Sequence, residues 1–468
     1  MTADLSPLAL QRRRVLAATS ISYFIVILDT SIVNVALERI ATALSMQISG
    51  LQWVTNAYTL VFAALLLTGG TLGDRVGARN VYLAGLALFT LASTLCALST
   101  TLPMLVGARA VQGIGAAMLV PCSLKLINQA SPNPETRARA IGLWVGCGGV
   151  AMAAGPVFGG ALIHLIGWRS IFFVNVPVGI AGIVLTSRVA RDVPVQGARR
   201  FDPLGQFAGI VALASLIGVL IEGAPLGWRS PAIVAGALVA IFAWAAFIVI
   251  EARSRDAMLP MSLFRSGVFS GSTLVSMGSA IVFYGLLFVA SLYYQRVRAY
   301  SPLATGLALL PMTAMVAVGG ILSNRLSNFK GARASMCIAF GLYAAGALGL
   351  LALLSGAPGW AAVAPLISIG LAAGYVTPAA TAPALATVEH RHAGVAAGVL
   401  NSARQTGSAL GVAVFGSVIG SNMPFSAAMR VVLFAAALVA LAAALVWWIA
   451  TAAPKRPVAR SRADSSYG

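Results

Sequence analysis

Long apolar runs, separated by short polar or glycine-rich stretches, fill almost the whole of this chain. About 20 apolar residues are enough for a helix to cross the hydrocarbon core of a bilayer. Runs of that order occur at 15–37, 50–72, 80–99, 103–126, 138–163, 170–187, 203–223, 230–250, 266–292, 302–324, 333–354, 359–386, 394–420 and 427–451. The pattern predicts an all-α membrane protein with 14 transmembrane helices. The first run follows Arg12, Arg13 and Arg14, as a signal peptide would. It is too long for one, contains Asp29 and lacks a small-residue cleavage site, so it reads as the first span.

The stretches between runs repeat. Gly70, Leu72 and Arg75 recur 250 residues later as Gly320, Leu322 and Arg325. Gly142, Gly155 and Gly159 recur at +252 as Gly394, Gly407 and Gly411, and Arg139 recurs as Arg391. Both echoes relate spans eight apart, so one half reads as a diverged copy of the other, a construction found in secondary transporters. The expected organisation is a six-helix bundle over 1–200, two inserted helices over 201–258, a second six-helix bundle over 259–452 and a basic tail over 453–468.

Composition agrees with this. Hydrophobic residues make up 59% and charged residues 9%, against about 25% charged in soluble domains. The net charge of +19 reports topology rather than nucleic-acid binding. Of the 31 Lys and Arg residues, 23 fall in the N-terminus, the even-to-odd loops and the C-terminal tail. The positive-inside rule then places both termini in the cytoplasm. Arg75, Arg79, Lys125, Arg137, Arg188, Arg191, Arg199, Arg200, Arg255 and Lys330 are among the 23. Cys96, Cys122, Cys147 and Cys337 are scattered singly, and His164, His390 and His392 lack metal spacing, so neither disulfide nor metal is expected. No phosphate-binding loop of the form G-x-x-x-x-G-K-[ST] occurs, which argues against ATP drive.

Two ionised residues fall inside spans and need a reason. Asp29 is the carboxylate nearest the middle of a span. A charge at bilayer depth costs at least about 2.5–3.5 kcal/mol, and such residues mark wet cavities and proton paths. Ser22, Thr30 and Asn34 add polar groups to its helix. Arg109 stays charged at any working pH and shares a face with Gln112, Gly113 and Ala116. The two form the expected proton-coupling pair, the bland alternative being a structural tie between spans 1 and 4.

Asp74 and Arg75 sit at a membrane edge between Gly73 and Gly77, where Asp74 either caps the next helix or pairs with a cation on a neighbouring span. Gly70, Asp74, Arg75, Gly77 and Arg79 are read as a gate; Asn324 replaces the acid in the second copy. Gly155, Pro156, Gly159 and Gly160 place a kink and small residues inside span 5, fit for close helix packing or for movement. Asn401, Arg404 and Ser408 share a face of span 13, suited to an anion or to a helix contact. Trp53, Trp168, Trp447 and Trp448 read as interfacial belts. Tyr23, Asn34, Gln112, Trp144, Phe283, Tyr284 and Tyr375, with Asn401 and Arg404, are the candidate lining of a substrate cavity.

Several of these runs resemble signatures of one family. Gly70 to Arg79 is similar to the loop 2–3 signature G-x-L-x-D-R-x-G-R-K of the major facilitator superfamily, with Ala78 in place of the first terminal basic residue. Leu28 to Leu37 resembles L-D-x-T-I-V-N-V-A-L-P of the fourteen-helix drug:proton antiporters, with Glu38 where that family has Pro. Arg109, Gln112, Gly113, Gly115 and Ala117 look like R-x-x-Q-G-x-G-x-A. Gly155-Pro156-Val157-Phe158-Gly159-Gly160 looks like the antiporter motif G-P-x-x-G-G.

The resemblance implies a proton-coupled antiporter of the bacterial inner membrane. It would export lipophilic, drug-like compounds by alternating access, with no cofactor and no enzymatic step. Its partners would be the substrate, protons and lipid, with no nucleic acid; whether a periplasmic adaptor joins it stays open. A proton symporter importing an organic acid or sugar is the alternative, and a membrane sensor or scaffold is the non-transport one.

Overall fold

A computed structural model describes residues 7–131, 133–189, 202–254, 257–389 and 392–452. Arg191, Arg199, Arg200, Arg255, His390, Arg391 and the basic tail lie outside the described residues. Regular structure among the described residues is helical throughout. The long helices are α1 (Pro7–Leu44), α2 (Ile48–Val76), α3 (Ala78–Leu98), α4 (Leu102–Ala130), α5 (Pro134–Leu165), α6 (Asn175–Val189) and α7 (Pro203–Leu226). They continue as α8 (Pro231–Arg253), α9 (Gly267–Leu292), α10 (Pro302–Lys330), α11 (Ala332–Gly349), α12 (Val363–Ala386), α13 (Ala393–Ile419) and α14 (Phe425–Ala450).

Among the described residues, thirteen segments are long and apolar enough to cross a membrane. The remaining long helix is α13, which carries Asn401, Ser402, Arg404, Gln405 and Thr406 in one stretch. Helix starts follow local chemistry. Ser230, Ser266 and Ser301 each accept a hydrogen bond from the backbone N–H three residues on, and so does Asp202. Pro follows directly at the start of α7, α8 and α10, where its missing N–H costs nothing. Span 6 is interrupted: a one-turn helix, Ser170–Phe173, precedes α6. Span 11 ends, and span 12 begins, in 3₁₀ turns at Leu350–Ser355 and Gly359–Ala362.

Packing follows the internal repeat. In the first six helices, α1 lies against α5, α6 and α4, and α4 lies against α2 and α3. In the last six, α9 lies against α13, α14 and α12, and α12 lies against α10 and α11. The glycines show the same register. Gly69 lets α2 approach Ala117 O on α4, and Gly319, 250 residues on, lets α10 approach Leu371 O on α12. Gly155 and Gly159 face Ser31 and Ile32 of α1, and their echoes Gly407 and Gly411 face Met277 and Ile281 of α9.

The two sets meet mainly along two seams, α5 with α10 and α2 with α13. In the first, Gly160 faces the backbone of Pro302 and Leu303, and Gly306 faces Pro156 O. In the second, Gln52 Nε2 donates to Val412 O at 3.0 Å and Ala413 O at 2.7 Å. Helices α7 and α8 pair with each other, and α7 lies across the α2–α13 seam. It is held there by Trp53 Nε1 donating to Glu222 Oε1 at 2.6 Å and Gln206 Nε2 donating to Ala64 O at 3.0 Å.

Candidate functional site

The two charges expected to meet do meet. Asp29 Oδ2 on α1 pairs with Arg109 Nη1 on α4, both fully buried. The other carboxylate oxygen accepts from Gln112 Nε2 at 2.9 Å and from Asn175 Nδ2 at 3.1 Å. Ser93 Oγ on α3 receives a second hydrogen bond from Gln112 at 2.8 Å. Arg109 also donates from Nη1 to Gln112 Oε1 at 2.7 Å and from Nε to Val54 O of α2 at 3.1 Å. Its guanidinium carbon lies 4.4 Å from the ring centre of Tyr58, near enough for a cation–π contact. Five helices thus converge on one ion pair, and all five precede α7. Removing one partner from such a buried pair costs about 3–5 kcal/mol, because the other is left uncompensated.

Beside the pair lies a central cavity. Thr30 and Asn34 of α1, Thr59 of α2, Arg109, Tyr284 of α9, and Gln405 and Ser408 of α13 help to line it. Asp29 is one position off the cavity face of α1, so Arg109 stands between the carboxylate and the cavity. Ser291 Oγ of α9 donates to Asn34 O at 2.6 Å, and the Glu38–Arg296 ion pair at 2.6 Å lies one turn beyond. These contacts cross between the two sets of helices at the end of α1.

The aromatic candidates divide. Tyr23 stacks on Trp144 with ring centres 3.7 Å apart, and Gly148 makes room for the Tyr23 ring. Phe283 and Tyr284 meet edge-on at 5.2 Å, but only Tyr284 reaches the cavity; Phe283 is buried in the apolar core. The Tyr375 hydroxyl bonds Ser327 Oγ at 2.8 Å between α12 and α10, and Tyr375 lies off the wall of this cavity, as do Tyr23, Gln112, Trp144, Asn401 and Arg404. Trp168 and Trp447, both near helix ends, are buried against neighbouring helices. An evenly apolar helix does not reveal which of its faces meets lipid. Ser22 turns from Asp29 to Tyr82. Asn401 accepts from Arg404 Nη2.

At the other end, Asp74 does not cap α3. It ends α2 and pairs with Lys125 of α4 at 2.6 Å, and Lys125 also donates to Gly70 O. Gly77, at φ 98°, joins α2 to α3 in a left-handed turn that no other residue adopts cheaply. Arg79 Nη2 donates to Ser187 O of α6 at 3.0 Å, while Arg75 is exposed. Gly155, Pro156, Gly159 and Gly160 seat α5 between two neighbours: Gly155 and Gly159 against α1, Pro156 and Gly160 against α10. Pro156 does not interrupt α5.

Sequence reasoning missed Ser93, Asn175 and the Glu38–Arg296 pair, and gave Tyr58 no part in the ion-pair site. Uncharged polar residues in a helix bond their own turn readily, so nothing marks the ones that reach across. Glu38 alone carried a signal, as the residue departing from the resembled motif.

A bundle of membrane-length helices with one sealed ion pair beside a central cavity defines a multi-pass membrane protein of the secondary-transporter class. The chain belongs to the Major Facilitator Superfamily, whose model matches residues 19–204 and again 203–412. It is 36% identical to a methylenomycin A resistance protein of Bacillus subtilis, over 92% of this chain and 93% of that one. It is 33% identical to a tetracenomycin C resistance and export protein of Streptomyces glaucescens, over 87% and 76% respectively. Its fold is similar to the crystal structure of an auto-inhibited POT family peptide transporter, with a TM-score of 0.70 at 14% identity, covering 94% and 96% of the two chains.

Proposed function

We propose that this protein exports lipophilic, drug-like small molecules across the bacterial cytoplasmic membrane in exchange for protons. The observation that carries the reading is the placement of Arg109, which holds Asp29 on one side and faces the central cavity on the other. A proton on Asp29 removes the guanidinium's anionic partner. Arg109 then stands at the cavity wall as an uncompensated cation, which disfavours a lipophilic or cationic compound there, so proton and substrate compete for occupancy. That competition is what exchange requires. The names of the resistance and export relatives favour outward transport of toxic compounds.

In this reading the helices before residue 201 and those after 258 rock as two bundles, and α7–α8 travel between them. Both termini are cytoplasmic. Asp74 and Lys125 latch the cytoplasmic side, and the Gly155–Gly160 run keeps α5 close to both α1 and α10. No cofactor or catalytic group takes part. One elementary charge crossing 100 mV releases about 2.3 kcal/mol, enough for a gradient of about 50-fold.

The test is a toxicity panel in an efflux-deficient bacterium. Expression should raise tolerance to some lipophilic compounds, and a protonophore should abolish the gain. Tolerance unaffected for the whole panel, or a gain that survives the protonophore, would contradict the proposal.

A further inference from the structure

The polar residues of the cavity wall divide by how their hydrogen-bonding groups are used. On the first set of helices they are bonded within that set. Thr30, Thr55 and Thr59 donate their hydroxyls to carbonyls of their own turns at 2.7, 3.2 and 3.1 Å, and Asn34 Nδ2 donates to Thr30 O at 3.0 Å. On the second set they are unused. Tyr284 of α9 and Gln405 and Ser408 of α13 line the same cavity, and their side chains make no hydrogen bond to any described residue. Ser408 is nevertheless only 4% exposed. Gln405, Ser408 and Val412 fall at i, i+3 and i+7, so an amide, a hydroxyl and an apolar surface share one strip of α13. The wall carries no carboxylate, and its one ionised residue, Arg109, is paired with Asp29.

Charge narrows what such a wall can hold. A cation would lie against Arg109 with no carboxylate to receive it. An anion would have to take Arg109 from Asp29, which needs a proton on Asp29. Proton and anion would then bind together, which is the logic of symport and not of exchange. An uncharged compound meets neither obstacle. It must still answer Gln405, Ser408 and Tyr284, because covering them with hydrocarbon leaves polar groups buried without a partner. We infer that the exported compounds are bound uncharged and carry a carbonyl, hydroxyl or amide group that bonds Gln405, Ser408 and Tyr284, with the apolar body on Val33 and Val412. This rests on the export reading and specifies its substrate class.

Binding is measured by equilibrium dialysis on the purified full chain in lipid nanodiscs, with empty discs subtracted. Four probes share a naphthalene body: 1-naphthylacetamide, 1-naphthylacetate, the (1-naphthylmethyl)trimethylammonium cation and 1-isobutylnaphthalene, a hydrocarbon of the amide's shape. Wild type should bind the amide about tenfold more tightly than each of the others, the scale of one or two hydrogen bonds. Gln405→Leu and Ser408→Ala should each weaken the amide by about threefold or more and leave the hydrocarbon within about twofold, which also certifies folding. Equal or tighter binding of the acid, the cation or the hydrocarbon overturns the inference. So does an amide affinity unchanged in both variants, or a loss that falls equally on amide and hydrocarbon. Energised inverted vesicles separate this result from the export reading, since the proton gradient should drive accumulation of the amide. If it accumulates the acid or the cation instead, export stands and this inference falls. If the amide binds as expected and none of the four is accumulated, the export reading falls, and with it the claim that the bound compound is exported.

Discussion

Glu38 Oε2 and Arg296 Nε lie 2.6 Å apart, tying the end of α1 to the turn that follows α9. Glu38 occupies the position where the resembled antiporter motif has Pro, so this chain carries an ion pair where the motif carries only a helix-ending residue. With Ser291 on Asn34 O it closes one end of the cavity across the two sets of helices. The Asp74–Lys125 pair at the opposite end joins α2 to α4 and does not cross between the sets. The two ends are thus held by different means, one by an inter-half tie and the other by bracing within the first half.

Breaking the outer tie should shift the resting population toward the outward-open form. The pair is partly exposed, so it contributes about 0.2–1 kcal/mol, a shift of at most about fivefold. Thr30 lines the cavity, so Thr30→Cys in a protein with its four native cysteines replaced reports access. Glu38→Gln should speed its labelling by an impermeant maleimide from the outer side, and Glu38→Arg with Arg296→Glu should restore the slow rate. Identical labelling in wild type and Glu38→Gln would count against the tie.

Asp29→Asn should give a folded protein that no longer couples to the proton gradient. The amide oxygen still accepts a hydrogen bond, and Arg109 keeps Val54 O and Gln112 Oε1. Uphill efflux should vanish while downhill exchange partly survives. Full uphill efflux at wild-type expression would remove Asp29 from the coupling role.

How much of this was legible follows from how each residue stands out against its surroundings. Asp29 and Arg109 were legible because a charge in an apolar run needs a partner at the same depth. The spans were legible from the apolar runs. Asn175 and Ser93 were not, because a neutral polar group in a helix carries no such demand. Glu38 and Arg296 lie at span ends, where charges are ordinary. Tyr375 and Phe283 were assigned to the cavity on aromatic type and mid-span position, neither of which fixes the face they occupy. The rotation of α12 and α9 is set by close backbone approach at Gly319 and Gly374 and at Gly285, contacts that a single helix does not announce.

Asp74→Ala should slow turnover while substrate affinity stays within a few-fold. Lys125 would lose its anion but keep Gly70 O, so the turn survives and only the brace weakens. Lys125→Ala should behave alike, and the double substitution should cost little more than either single one, since the two residues act as one unit. A large loss of affinity in direct binding, with turnover preserved, would move Asp74 into the substrate site.

Closure of the α5–α10 seam should be the most sterically demanding step. A methyl on Gly306 would run into Pro156 O, and one on Gly160 into the backbone of Pro302 and Leu303. Backbone cannot rotate away as a side chain can, so the helices must part, at a cost of about 1–3 kcal/mol. Gly306→Ala and Gly160→Ala should insert normally yet lose most transport, whereas Gly107→Ala, with nothing within 4 Å, should be neutral. Unimpaired efflux in both seam variants would show that the halves need not meet there.

The sharpest division of labour lies between Arg109 and Tyr284, which face the same cavity from different halves. Arg109 is bonded to the sole buried carboxylate of the site, so altering it should disturb the step that every substrate shares. Tyr284 touches no ionised group directly; it contributes a ring, set edge-on against Phe283, and so should act on whatever apolar surface is bound. Tyr284→Leu should change the relative rates for two dissimilar compounds and leave the pH dependence of transport in place. Arg109→Ala should abolish or displace the pH dependence for both compounds alike, without altering their ratio. The check is a pH–rate profile for two substrates in each variant, with expression matched. If Tyr284→Leu moves the pH optimum while Arg109→Ala only alters substrate preference, proton coupling does not run through the Asp29–Arg109 pair.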